Sequence, residues 1–376
     1  YNWQLNDSLT HTFISSAVTS GVLSQALTLD AEWSPWYLNS DLTVPFGVTM
    51  MIRDNTEVVI ADGVVITVEG LLDINSATLH STSGSRWGGI AVSGTNSVLS
   101  TSGSHLVEAG QIITVGHGAT VTISGTEVAR GDALLTISGD SSTSVENSYF
   151  HDAMESCVMA QGQTTSLSVR DSTFDACGDH AIWARHAILD LANIVLGNGT
   201  EEGLDLSATT GMVDGLDASA HQGEFAAVHL SEIDGQMTLA NLNLSAGNSS
   251  AALVAQMSRN LEIHDAYIYG APAMELDTVA GMVSGIQMVG EGTGTAIHAN
   301  HSRGSGALQV VDSSIAGYSV GIDLQGHSGE ATNPRFVSSN NIIITPASIS
   351  GDGRNFVSIG DTIYGSISLT SEIALE

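Results

Sequence analysis

The chain repeats itself. From residue 145 onward an apolar residue is followed two positions later by Asn, Asp or Gly, and three positions after that by a second apolar residue. The matches run Val145/Asn147/Phe150, Val169/Asp171/Phe174, Leu191/Asn193/Leu196, Val213/Gly215/Ala218, Leu239/Asn241/Leu244, Ile263/Asp265/Ile268, Val283/Gly285/Met288 and Val310/Asp312/Ile315. The pattern reaches back to Gly125, Gly103 and Ser76 and forward to Ser339 and Asp361. A spacing of about 24 residues suits one coil of a solenoid, and these marks imply roughly thirteen coils.

Asn, Asp and Gly share an ability to occupy the left-handed backbone region that a tight bend between strands needs. Between the bends the segments are short, rich in Val, Ile and Leu, and alternate with period two, which marks strands and excludes a helical solenoid. A second element follows each bend: a small residue, an apolar one, a variable one and usually another apolar one. It occurs at Cys157, Ala181, Gly203, Ala227, Ala252, Ala273, Ala296 and Gly321. In a strand the second and fourth positions of this element point inward and the third outward. Stacking at about 4.8 Å per coil would align the third positions, Met159, Trp183, Asp205, His229, Val254, Glu275, His298 and Asp323, in one exposed column.

The pattern resembles the right-handed parallel β-helix proteins, the architecture of pectate lyases, polygalacturonases, tailspikes and many surface adhesins. The stretch from Leu42 to Ile52, then Val64 to Leu72 and Trp87 to Ile90, is similar to the opening coils of secreted members. The resemblance covers residues 41 to 370 and implies an all-β solenoid that is secreted or at the cell surface. It does not select a function, because this architecture hosts lyases, hydrolases, epimerases and inert stalks. Residues 1–40, with Trp3, Trp33 and Trp36, are expected to form an N-terminal cap, and 41–376 the β-helix. The repeat still runs near Tyr364, so the C-terminal end is expected to be uncapped and open to end-to-end assembly.

Charge narrows the partners. The chain has 40 acidic residues against nine basic ones, all Arg, for a net charge of -31. Such a surface neither neutralises phosphates nor holds an anionic membrane, and it repels uronic-acid polymers, whereas cations, calcium above all, are attracted. No apolar run of about 18 residues suggests a transmembrane segment.

Candidate sites follow from the column and its loops. Trp183, Asp205, His229, Glu275, His298 and Asp323 combine a stacking ring with polar groups, as a glycan-binding face does; the alternative is a plain solvated face. Asp205, His229 and Arg185 are the candidates for catalysis. The loops before the column carry Glu155, Asp179 with His180, and Glu201 with Glu202. Glu155, Asp179 and Glu201 fall at one offset on successive coils, so their repulsion would be relieved by a bound Ca²⁺, by water or by raised carboxyl pKa values. Gly116-His117-Gly118 matches a polygalacturonase tripeptide, but that family's companion residues are missing, and the absence of Lys removes lysine-base lyases. Cys157 aligns with Ala181 and Cys177 with Ala153, so the thiols are expected to be small buried or loop residues and not disulfide partners.

The expectation for function is an extracellular structural or adhesive rod, a self-assembling surface or filament subunit. The alternative is a carbohydrate-active enzyme or glycan-binding protein that uses the Trp183, Asp205 and His229 face. A third reading is calcium-dependent assembly through the acidic loops.

Overall fold

The computed structural model describes residues 21–82, 84–199, 201–246, 250–300, 306–325, 336–351, 356–369 and 374–375. They form two compact units, Tyr1–Gly178 and Asp179–Glu376. Each unit is a stack of short strands in parallel ladders. One helical turn, Ala31–Trp33, occurs among the described residues, and no helix there is long and apolar enough to cross a membrane. The fold is a right-handed parallel β-helix of about 14 turns in all, the hand that β-crossover connections take almost without exception.

Alternation builds the core. In the first unit Val121 pairs with Thr143, Ile123 with Val145 and Val145 with Val169, while the stacked rings of Phe150 and Phe174 lie 5.3 Å apart. In the second, Leu191, Val213, Leu239, Ile263, Val283 and Val310 form an unbroken inward column. Each of these side chains is at most 2% exposed.

The eight bend residues from Asn147 to Asp312 all adopt positive φ, between 49° and 77°. Their amides are satisfied from one coil to the next, as where Asn147 N–H donates to the Arg170 carbonyl at 3.1 Å. In the first unit the residue after the bend is a buried hydroxyl: Ser104, Thr126, Ser148 and Ser172. The Ser148 hydroxyl accepts the Thr126 N–H at 3.2 Å, and Ser172 accepts that of Ser148 at 3.1 Å. A polar ladder can therefore run inside the wall without an unpaired group.

Two expectations about the winding, the place of the last bends and the pairing of the cysteines, are corrected. The last two bends fall at Asn340 and Gly360, not at Ser339 and Asp361, because Ser338 and Ser358 occupy inward positions that the apolar pattern reserves for Val or Ile. Within 21–40, Gly21 pairs with Leu42, Leu27 with Met50 and Trp36 with Val58, all in parallel, while residues 1–20 of the expected cap lie outside the described residues. Trp3 lies outside the described residues. Finally, Cys157 and Cys177 form a disulfide with Cα atoms 5.4 Å apart. Ala153 and Cys177 do pair in register, but the chain turns a corner at Met154–Ser156 and brings Cys157 back beneath Cys177.

Candidate functional site

The second element of the repeat places the site. Its small first residue is a packing requirement: a Cβ on Gly203 would meet the Ala227 carbonyl at 2.6 Å, and one on Gly321 the Ser348 carbonyl at 2.6 Å. Its second and fourth residues are buried, as at Ile182 and Ala184, Leu204 and Leu206, and Val228 and Leu230. The third residues then stack in register: Trp183 on Asp205, Asp205 on His229, His229 on Val254, then Glu275, His298 and Asp323. Met159, the column's member in the first unit, pairs there with Thr136.

The column is not uniformly open. Trp183, Asp205, His229, His298 and Asp323 are half-buried and Glu275 is exposed. Val254, expected to face out, is 9% exposed because it packs with Ala226 and Ala251 from the loops before the strands. Those loops wall the face, so the groups beneath them work in a partly desolvated setting that strengthens their electrostatics.

Asp205 is the hub. Its Oδ1 lies 2.9 Å from Nδ1 of His229, and its Oδ2 lies 3.8 Å from Nε2 of His180, which also sits 3.2 Å from Oε2 of Glu202. All four side chains are at most 25% exposed. The hydrogen bond to Asp205 holds the proton on His229 and raises its pKa against the opposing effect of burial. For His180 burial works downward, but the hydrogen bond to Glu202 and the charges of Asp205, Glu202 and Glu201 outweigh it and leave the pKa above the ordinary value. In Glu202 burial works upward, and the bond to His180 overcomes it, so this carboxyl stays ionised below the usual range.

His221 behaves in the opposite way. It is 3% exposed, burial pushes its pKa down, and its Nε2 has no hydrogen-bond partner. Its loop folds over the Glu201 main chain: a Cβ on Gly223 would overlap the Glu201 carbonyl oxygen and lie 2.6 Å from His221 Nε2.

Of the acidic loop residues expected to hold a metal, Glu201 and Glu202 come together with His180. Donor atoms of His180, Glu201 and Glu202 all lie within 4.8 Å of one another. Glu155 is an exposed corner residue of the first unit, whose N–H donates to the Asp132 carbonyl, and Asp179 is half-buried at the start of the second. Arg185 is exposed at the end of the Trp183 strand, paired with Ser207. Gly116-His117-Gly118 forms a bend in the first unit, with His117 at φ 40°. Further along the column His298 Nδ1 lies 3.1 Å from Asp323, whose other oxygen accepts from the Ser350 hydroxyl at 2.9 Å.

Sequence reasoning named His180 only as the neighbour of Asp179 and passed over His221, although both sit in loops just before a column strand, where a side chain can lean over the face. It also passed over a chain in the first unit. There Glu127 joins His105 at 2.6 Å to His151 at 3.0 Å, and His151 in turn reaches Asp152 at 2.8 Å.

The histidine shift makes a directional prediction. A pKa raised on folding means that His229 adds stability fully below its unfolded value of about 6.5, and that this is lost as pH rises through the higher folded value. In a proton NMR titration the His229 ring should titrate above that of a free histidine, and Asp205→Asn should bring it back down. A midpoint unchanged by the substitution would show that Asp205 does not hold the proton.

No family model matches the chain, and no curated protein does. Among solved structures, the catalytic domain of a GH87 α-1,3-glucanase in complex with nigerose is similar at 11% identity, with a TM-score of 0.47, over 88% of this chain and 66% of its own. The catalytic unit of the GH87 α-1,3-glucanase from Streptomyces thermodiastaticus is 13% identical, with a TM-score of 0.39, over 95% and 65%. The tailspike of E. coli bacteriophage HK620, in complex with a pentasaccharide, is 10% identical, with a TM-score of 0.32, over 91% and 68%. The chain thus spans about two thirds of the length of these proteins. By its own ladders it is a parallel β-helix repeat protein, and its second unit carries a histidine and carboxylate cluster on a column of stacked side chains that begins at Trp183.

Proposed function

We propose that the second unit binds a neutral glycan along the column that begins at Trp183. The observation that carries this reading is the register of Trp183, Asp205 and His229 on adjacent coils. A flat ring can take the apolar face of a pyranose while a carboxylate and an imidazole one and two coils away take its hydroxyls. Glu275, His298 and Asp323 continue the track for further sugar units. A net charge of -31 disfavours uronic-acid polymers, which leaves neutral chains. Asp205 fixes Nδ1 of His229, so Nε2 is the atom left to exchange a proton with a bound hydroxyl, and the same face supports acid–base chemistry on the glycan. The Cys157–Cys177 disulfide favours an oxidising, extracellular setting.

The test is a calorimetric glycan panel. Trp183→Ala should weaken the best neutral ligand about 30-fold, as loss of a central aromatic anchor does, while Asp205→Asn should abolish any turnover. Equal affinity of the Trp183→Ala protein, or binding of uronic-acid chains alone, would end this reading.

A second reading, assembly of copies into a rod, is favoured by the exposed apolar side chains of the last coils. Ile342, Ile344, Ile359 and Tyr364 are 44 to 63% exposed, and Ile344 pairs in register with Tyr364. Light scattering decides it: a mass that rises with concentration and falls in Ile344→Asp supports assembly, and a constant monomer mass removes it.

A further inference from the structure

We infer that His180, Glu201 and Glu202 bind a divalent transition-metal ion of the zinc class, beside the buried His221 ring that packs against the Glu201 main chain. The inference goes beyond glycan binding and stands on separate observations. One imidazole nitrogen and two carboxylates already lie within 4.8 Å of one another. Donors on a tetrahedral zinc sit about 3.4 Å apart, from bond lengths of 2.0 to 2.2 Å, so the three groups stand within about 1.5 Å of that spacing.

His221 supplies the second observation. A ring nitrogen that is buried and unpartnered is costly, and native proteins rarely leave one without a reason. This one faces the Glu201 carbonyl across Gly223, whose lack of a side chain lets the two approach. The Asp205 carboxylate, 3.8 Å from His180 Nε2, adds negative charge beside the cluster.

The donor set selects the ion. Calcium takes six to eight oxygens, and magnesium keeps its waters. A site built on one imidazole, with a second beside it, suits zinc and its neighbours in the transition series. The calcium expected from the acidic loops is therefore replaced by a nitrogen-liganded metal, and Glu155 and Asp179 are left out of its shell. A bound dication would relieve the repulsion among Glu201, Glu202 and Asp205.

The experiment titrates the full chain, stripped with a chelator, with zinc chloride in a calorimeter, with calcium and magnesium as parallel arms and no glycan present. One zinc per chain is expected, with a rise in melting temperature at saturation. His180→Ala, Glu201→Gln and Glu202→Gln should each weaken binding at least 100-fold, and His221→Phe about 10 to 100-fold, as loss of a supporting group does. Cobalt(II) in place of zinc should give a visible spectrum that His180→Ala removes. If His180→Ala fails to fold, the two Gln variants, which keep side-chain shape, carry the decision. No zinc uptake, equal uptake by the Gln variants, or displacement of zinc by equimolar calcium would overturn the inference. Because zinc is read without sugar and Trp183→Ala without metal, either idea can fail while the other stands.

Discussion

Replacing Cys157 and Cys177 together by alanine lowers the stability of the first unit by about 3 kcal/mol, the loss expected when a crosslink closing a loop of about 20 residues is removed. The two cysteines are 20 residues apart and both are buried, at 0% and 2% exposure. Alanine therefore leaves no unpaired polar atom, only a small void and a freer unfolded chain. The bond ties the corner at Met154–Ser156 to the strand above it, and that strand pairs with Tyr149–Ala153. Hydrogen exchange should accelerate around Ala153 and Cys177 in the double variant and in the reduced wild type, with denaturant midpoints falling by similar amounts. Midpoints that do not move on reduction would show that the pair is not bonded in solution.

This pair also shows where the sequence was readable. Register along a strand is periodic, so the alignment of Cys177 with Ala153 was available from the repeat, and so was the whole column from Trp183 to Asp323. What the repeat does not encode is the path of the chain through a corner. A corner folds back by a few ångströms, enough to bring Cys157 beneath Cys177, enough to bury Val254 beneath Ala226 and Ala251, and enough to swing His221 against Glu201. The same limit governs the acidic loops: equal offsets group Glu155, Asp179 and Glu201, whereas loop geometry brings donor atoms of His180, Glu201 and Glu202 together. The bends at Asn340 and Gly360 were misplaced by one residue for another reason. Serine at an inward position carries no apolar signal, although a neighbouring side chain satisfies it there: Ser338 accepts from the Asn341 amide and Ser358 donates to the Asp361 carboxylate.

Replacing Gly211 by alanine costs at least about 3 kcal/mol, combining backbone strain of about 1 to 3 kcal/mol with a steric overlap. Gly211 has φ 129°, a conformation closed to L-residues, and an added Cβ would fall on the carbonyl oxygen of Leu189, its partner on the coil below. Neither residue can retreat, because Gly211 also pairs with Met237 above and donates to the Gln236 carbonyl at 3.0 Å. Four residues on, Gly215 offers the control. Its φ is 77°, its neighbours in the bend ladder are Asn193 and Asn241 at 52° and 54°, and the nearest atom to an added Cβ is the movable Asn193 side-chain oxygen. Gly215→Asn should therefore cost less than about 1 kcal/mol, since Asn accepts the left-handed bend. The two substitutions sit on one strand, Thr210–Ala218, between the coil segment that holds Asp205 and the loop that holds His221. Gly211→Ala should consequently weaken the glycan face and the metal site together, while Gly215→Asn leaves both intact. Equal denaturant midpoints for the two variants would mean that the strand start at Gly211 is not held as tightly as its ladders imply.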